Sequence, residues 1–244
     1  MGTTFDGLLN KRIWLEQPAE GFRIAVDTVL LAAAVPARAG EDVLDLGCGV
    51  GGAMLALACR VPGVRVTGIE TQKELVRLCE GNIERNRLRD NLQVVRGDVT
   101  QLPSNMMGAF DHVMMNPPYH DEARHDASPD ESRRIANTET AGDLALWIAG
   151  AAQALRDGGM LTLIHRADRL NEILGLVKTS FGLVRVKPVV SKKNAATKRV
   201  IVQADKMGAF ALKSFQPFVM HRADGGYTAE ADAILRDVKA FEIG

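Results

Sequence analysis

The sequence predicts an α/β chain: a doubly wound, seven-stranded sheet of Rossmann-like type, with its last strand antiparallel to the others. Three observations carry this. After residue 41, apolar strand signals alternate with amphipathic helix signals, the pattern of parallel strands joined by crossover helices. The run Val43-Leu44-Asp45-Leu46 meets a glycine turn, Gly47-Cys48-Gly49-Val50-Gly51-Gly52, and then a helix start. Near the end, Ser191 to Thr197 is too short for a crossover helix, so the two strands it joins must pair as an antiparallel hairpin.

The elements follow in order. Arg12–Gln17 and Gly21–Ile24 read as a hairpin across Pro18. Asp27 reads as the N-cap of an apolar helix from Thr28 to Val35. Strands are expected at 42–46, 64–69, 92–96, 110–115, 159–164, 183–190 and 198–204, and helices at 51–60, 72–87, 142–156 and 168–180. Gly158-Gly159 ends one helix and starts the fifth strand. Thr228 caps a last helix, 229–241. The expected organisation is one domain over 1–244, with an N-terminal arm (1–40), a core (41–205) and a C-terminal extension (206–244).

Bulk properties narrow the class. A chain 46% hydrophobic and 25% charged is ordinary for a globular protein. No apolar run reaches the ~20 residues of a membrane span. Met1–Asn10 is too polar for a secretory signal, and Cys48, Cys59 and Cys79 contain no Cys-x-x-Cys pair. The cysteines therefore read as free thiols of a reducing, cytoplasmic setting. His120 and His125 lack partners at ligand spacing, so no metal site is expected. Net charge is zero, yet Arg185 to Lys213 holds eight basic residues against one acid, Asp205. Such clustering is the footprint of a phosphate backbone and points to a nucleic acid, with Lys192, Lys193, Lys198 and Arg199 as contacts; the alternative is a solvated strand pair with protective edge lysines.

The chemistry concentrates at Asn116-Pro117-Pro118-Tyr119, which follows the apolar run Val113-Met114-Met115. Two prolines give a stiff loop without backbone donors. Asn116 adds a carbonyl acceptor and Tyr119 a flat ring. Acceptors beside an aromatic face suit a planar group bearing NH₂: a base amine or a side-chain amide. Gly47, Gly49 and Gly52 have the spacing of a nucleotide-binding loop. Glu70, about twenty residues on, stands at a strand end where a carboxylate accepts from ribose hydroxyls. Asp45 just before the first glycine would repel a pyrophosphate and attract a cation. S-adenosylmethionine, with its ammonium and sulfonium and no phosphate, meets that demand.

Asp45-x-Gly47-x-Gly49 resembles motif I of class I S-adenosylmethionine-dependent methyltransferases, and Asn116 to Tyr119 resembles motif IV of the amino-methyltransferases. The resemblance implies that Glu70 binds ribose and that Asp98 and Val99, after the third strand, bracket the adenine. It also implies that the segment around Asp27 closes over the methionine end of the cofactor. Gly21 to Leu31, the Asn-Pro-Pro-Tyr loop and Gly226-Tyr227-Thr228-Ala229-Glu230-Ala231 together resemble the tRNA (adenine-N6)-methyltransferases. The implied reaction is methyl transfer to adenine N6 of tRNA, with Asn116, Pro117 and Tyr119 as catalytic residues. Glutamine N5 of a protein such as a release factor, and guanine N2 of RNA, are the alternative acceptors. A catalytically silent RNA-binding module is the alternative of a different class. His120 to Thr140, rich in charge and directly after the motif, reads as a mobile substrate-side lid.

Overall fold

Buried apolar runs build the sheet. The computed structural model describes residues 2–20, 24, 26–118 and 143–243. Three parallel strands form its centre: β3 (Asp42–Leu46), β4 (Arg65–Glu70) and β6 (Phe110–Met115). β6 is buried along its whole length, the mark of a strand covered on both faces. β5 (Leu92–Arg96) lies outside β4, and β7 (Leu155–Arg166) outside β6. β9 (Thr197–Asp205) then runs antiparallel to both β7 and β8 (Leu183–Val190). The seven expected strands thus stand in the order β8-β9-β7-β6-β3-β4-β5. Two short strands extend the sheet at β8, namely β10 (Ala211–Ser214) and β11 (Phe218–Val219).

Two apolar layers sandwich the sheet. One gathers α1 (Val26–Ala34), α2 (Gly52–Arg60), α3 (Lys73–Arg85) and α6 (Ala229–Asp237) against Met114, Ile164 and Ile201. The other gathers α4 (Asp143–Ala154) and α5 (Leu170–Val177) against Val113, Met115, Leu163 and Val202. The alternation of inward faces along β6, β7 and β9 assigns residues to the two layers.

Four sequence expectations change. The N-terminal hairpin pairs β1 (Thr3–Leu8) with β2 (Ile13–Pro18), so the segment before Arg12–Gln17 supplies a partner strand, while residues 21–23 of the expected partner lie outside the described residues. Its turn runs through Leu9, Asn10 and Lys11 with φ of 52°, 55° and 63°. Val26 already belongs to α1, so Asp27 sits in the helix's first turn instead of capping it. β7 begins at Leu155, and Gly158-Gly159 lies inside the strand where its register to β6 shifts. α6 ends at Asp237, stopped by Val238 at φ 65°, while Thr228 does cap it by accepting from Ala231 N at 3.1 Å.

Candidate active site

β3, β4 and β6 end side by side, with Leu46 in register with both Ile69 and Met115. Ligands of open α/β sheets bind beyond these carboxyl ends. A cavity of about 290 Å³ lies there. Asp45, Gly47, Gly49, Glu70, Asp98, Val99 and Asn116 all line it.

The floor is acidic. Asp45 is 3% exposed, and its Oδ2 has no hydrogen-bond partner among the described residues. Burial, reinforced by nearby Glu70, pushes its pKa well above the usual carboxylate range. Glu70 is held between two backbone donors, Gly49 N at 3.1 Å to Oε2 and Gln72 N at 2.9 Å to Oε1. Burial still raises its pKa, against the pull of those N–H groups. Two buried carboxylates, one of them orphaned, form a site built for a positive ligand. A bound ammonium would pair with Asp45 and return it to its ionised form.

The walls explain the glycines. Gly47 has φ +66°, and a Cβ there would stand 2.4 Å from the Trp147 ring of α4. Only glycine lets the turn form while the indole covers it. Asp98 Oδ1 accepts from Thr100 N and Thr100 Oγ1, each at 2.8 Å, which fixes the turn after β5. Its other oxygen remains available to a ligand amine.

Other expected residues lie elsewhere. Asp27 does not line the cavity; it accepts from Arg199 Nε at 2.7 Å, tying α1 to the start of β9. That ion pair also takes Arg199 out of the free basic set. Pro117 is buried, and its neighbours Asn116 and Pro118 line the cavity on either side of it. Tyr119 and the 120–140 segment lie outside the described residues. Lys192, Lys193 and Lys198 stand exposed around the β8–β9 turn, away from the cavity lining, and Lys192 Nζ donates to Ala223 O at 3.2 Å. Among the described residues no cluster of His, Cys, Asp and Glu could hold a metal.

Sequence reasoning missed Trp147 and Pro18 of the wall, while the segment around Asp27, expected over the methionine end of the cofactor, reaches the cavity through Ile24 and Thr28. The contributions of Trp147 and Pro18 come from long-range packing. The sole local signal is the glycine pattern, which shows that something bulky must approach.

Comparisons with known proteins agree with this geometry. Residues 23–194 match the model of the methyltransferase small domain. A tRNA1(Val) (adenine(37)-N6)-methyltransferase of Porphyromonas gingivalis is 30% identical over 90% of this chain and 89% of its own. One from Actinobacillus pleuropneumoniae is 28% identical, covering 98% of each chain. Among solved structures, one described as a predicted O-methyltransferase from Agrobacterium tumefaciens superposes with a TM-score of 0.74 at 25% identity. It covers 88% of this chain and 98% of its own.

Proposed function

The chain belongs to the methyltransferase small domain family and, within it, to the tRNA (adenine-N6)-methyltransferases, and from that premise we propose that it moves a methyl group from S-adenosylmethionine to adenine N6 of a tRNA. The observation that carries the reading is one cavity in which the orphaned carboxylate of Asp45 and the acceptor Asn116 face the same space. The curated relatives point to the adenine at position 37 of a valine tRNA as the substrate.

S-adenosylmethionine supplies an electrophilic methyl on a sulfonium. The chain's own residues do the rest. Asp45 takes the cofactor's ammonium, Glu70 accepts from the ribose, and Asp98 with Val99 borders the adenine. The target base must leave its stack to reach Asn116. The Asn116 side-chain oxygen and the Pro117 carbonyl accept from the two N6 hydrogens. Those bonds strengthen as nitrogen loses conjugation and gains positive charge, so they favour the transition state over the ground state. Tyr119 stacks on the base, worth ~1–3 kcal/mol for base–aromatic pairs in general. No dedicated base is required, because the methylated ammonium is acidic enough to lose its proton to water. Orientation and fixed dipoles provide the acceleration.

A hydroxyl acceptor carries one hydrogen and would leave one of the two acceptors unused, so the loop favours nitrogen over oxygen chemistry. We take the chain to act as a single domain, with RNA approaching over the lysine-rich β8–β9 turn. Incubation with labelled S-adenosylmethionine and, separately, bulk tRNA, ribosomal RNA and a release factor, followed by nucleoside and amino-acid analysis, tests the reading. N6-methyladenosine in tRNA is expected. Asn116→Ala should abolish its formation while cofactor affinity stays nearly unchanged. Label in glutamine or in N2-methylguanosine would replace the substrate assignment. Wild-type turnover by Asn116→Ala would remove that residue from the mechanism.

A further inference from the structure

The glycine loop and the N-terminal hairpin meet through one side chain. Asn82 of α3 is fully buried. Its Oδ1 accepts from Glu16 N at 2.7 Å, and its Nδ2 donates to Glu16 O at 2.9 Å. The same Nδ2 donates to Val50 O, in the glycine loop, at 3.0 Å. One helical turn later Asn86 treats Trp14 alike, accepting from its N at 3.1 Å and donating to its O at 2.7 Å. Residues four apart share one helix face. The two amides therefore stand in for a neighbouring strand along the outer edge of β2. Asn82 alone reaches on into the cofactor loop.

The link continues into the cavity wall. Gln17, 3% exposed, donates from Nε2 to Asp6 Oδ2 at 2.8 Å and accepts at Oε1 from Ile24 N at 2.9 Å. Pro18 and Ile24 line the cavity. Ile24 Cδ1 lies 2.2 Å from where a Cβ on Gly52 would sit, so the wall rests on the first residue of α2. A buried amide with its hydrogen bonds made is costly to separate from them. Loosening the hairpin would therefore cost Asn82 both of its bonds to Glu16, leave its Oδ1 to Arg85 Nη1 at 2.9 Å and its Nδ2 to Val50 O alone, and release Ile24.

We propose that Asn82 and Gln17 are positioning residues that join hairpin docking to cofactor binding, so that the wall at Pro18 and Ile24 and the glycine loop at Val50 order together. The inference rests on the S-adenosylmethionine site assigned above. It concerns two residues that touch no cofactor atom in that assignment.

Amide hydrogen exchange and titration calorimetry on the full chain test it, with S-adenosylmethionine as the probe. In the unmutated chain the cofactor should slow exchange at the Glu16 and Trp14 amides. Asn82→Ala should bind about tenfold more weakly and lose that slowing at Glu16. Asn86→Ala should speed exchange at Trp14 yet leave affinity within about twofold, because it does not reach the glycine loop. Gln17→Ala should weaken binding, and the Asn82→Ala/Gln17→Ala pair should lose less than the sum of its parts. Hairpin amides indifferent to the cofactor, or equal affinities in Asn82→Ala and Asn86→Ala, would overturn the proposal. If Asn82→Ala does not fold, Gln17→Ala decides, since it leaves α3 and the glycine loop intact; unchanged affinity there overturns it. Failure of the unmutated chain to bind S-adenosylmethionine would instead overturn the cofactor assignment, and the inference with it.

Discussion

His165 is wholly buried on β7, and its pKa is lowered to about 4, by burial first and by the Arg169 guanidinium second. In the unfolded chain a histidine takes its proton near about 6.5. Below that pH the unfolded state binds a proton that the folded state refuses until about 4. Stability contributed by the neutral ring is therefore complete above about 6.5 and is lost as pH falls toward 4. One such group tilts stability by up to ~1.4 kcal/mol per pH unit. Thermal melts from pH 7 to 5 should show a falling Tm, and His165→Leu should fall less steeply. His112, lowered mainly by burial, keeps part of the slope in both chains, and Asp45, raised by burial, acts in the opposite sense. The difference between the two curves isolates His165, and identical slopes would mean an ordinary pKa. Single residues were legible where chemistry is local: Asp45, Gly47, Glu70 and Asn116 each stand at a spacing that announces a role. Asp27 was legible as special, but not its partner, because Arg199 lies 172 residues away.

At the scale of elements, the β8–β9 hairpin carries the basic charge outward. Replacing Lys192, Lys193 and Lys198 with alanine should weaken tRNA binding and flatten its salt dependence by ~0.7–0.9 in log–log slope per lost contact. Cofactor affinity should not move, as none of the three lines the cavity. An unchanged slope in a filter-binding series would return these lysines to edge protection of the sheet. Arg199 belongs to a different experiment. Removing it strips Asp27 of its partner across α1 and β9, so Arg199→Ala should cost roughly 1 kcal/mol of stability as well. Core strands were legible to within a residue or two at most ends, most plainly β3 and β6, where burial on both faces calls for short apolar runs such as Val113-Met114-Met115. β1 was not, since Thr3-Thr4-Phe5-Asp6-Gly7-Leu8 has neither such a run nor clean alternation. β10, exposed throughout, gives no apolar signal either.

For the whole molecule, alternating strand and helix signals and one strand reversed by a short turn are why the α/β class could be read before any coordinate. The relation between hairpin, α3 and glycine loop could not, because it depends on three segments meeting in space. A cofactor that binds the folded chain alone stabilises it by ~2.7 kcal/mol at a hundredfold excess over Kd. Saturating S-adenosylmethionine should accordingly raise Tm in scanning calorimetry, and Asp45→Asn should lose most of the shift. A full shift in Asp45→Asn would show that the ammonium is held elsewhere. The chain's two tryptophans divide between the two halves of this assembly. Trp147 forms cavity wall over Gly47, and Trp14 stands 42% exposed on β2, its backbone held by Asn86. With Trp14→Phe, all remaining indole emission comes from the cavity wall and reports occupancy. With Trp147→Phe, it comes from the hairpin and reports docking, so stopped-flow fluorescence of the two single-tryptophan chains can time which event comes first.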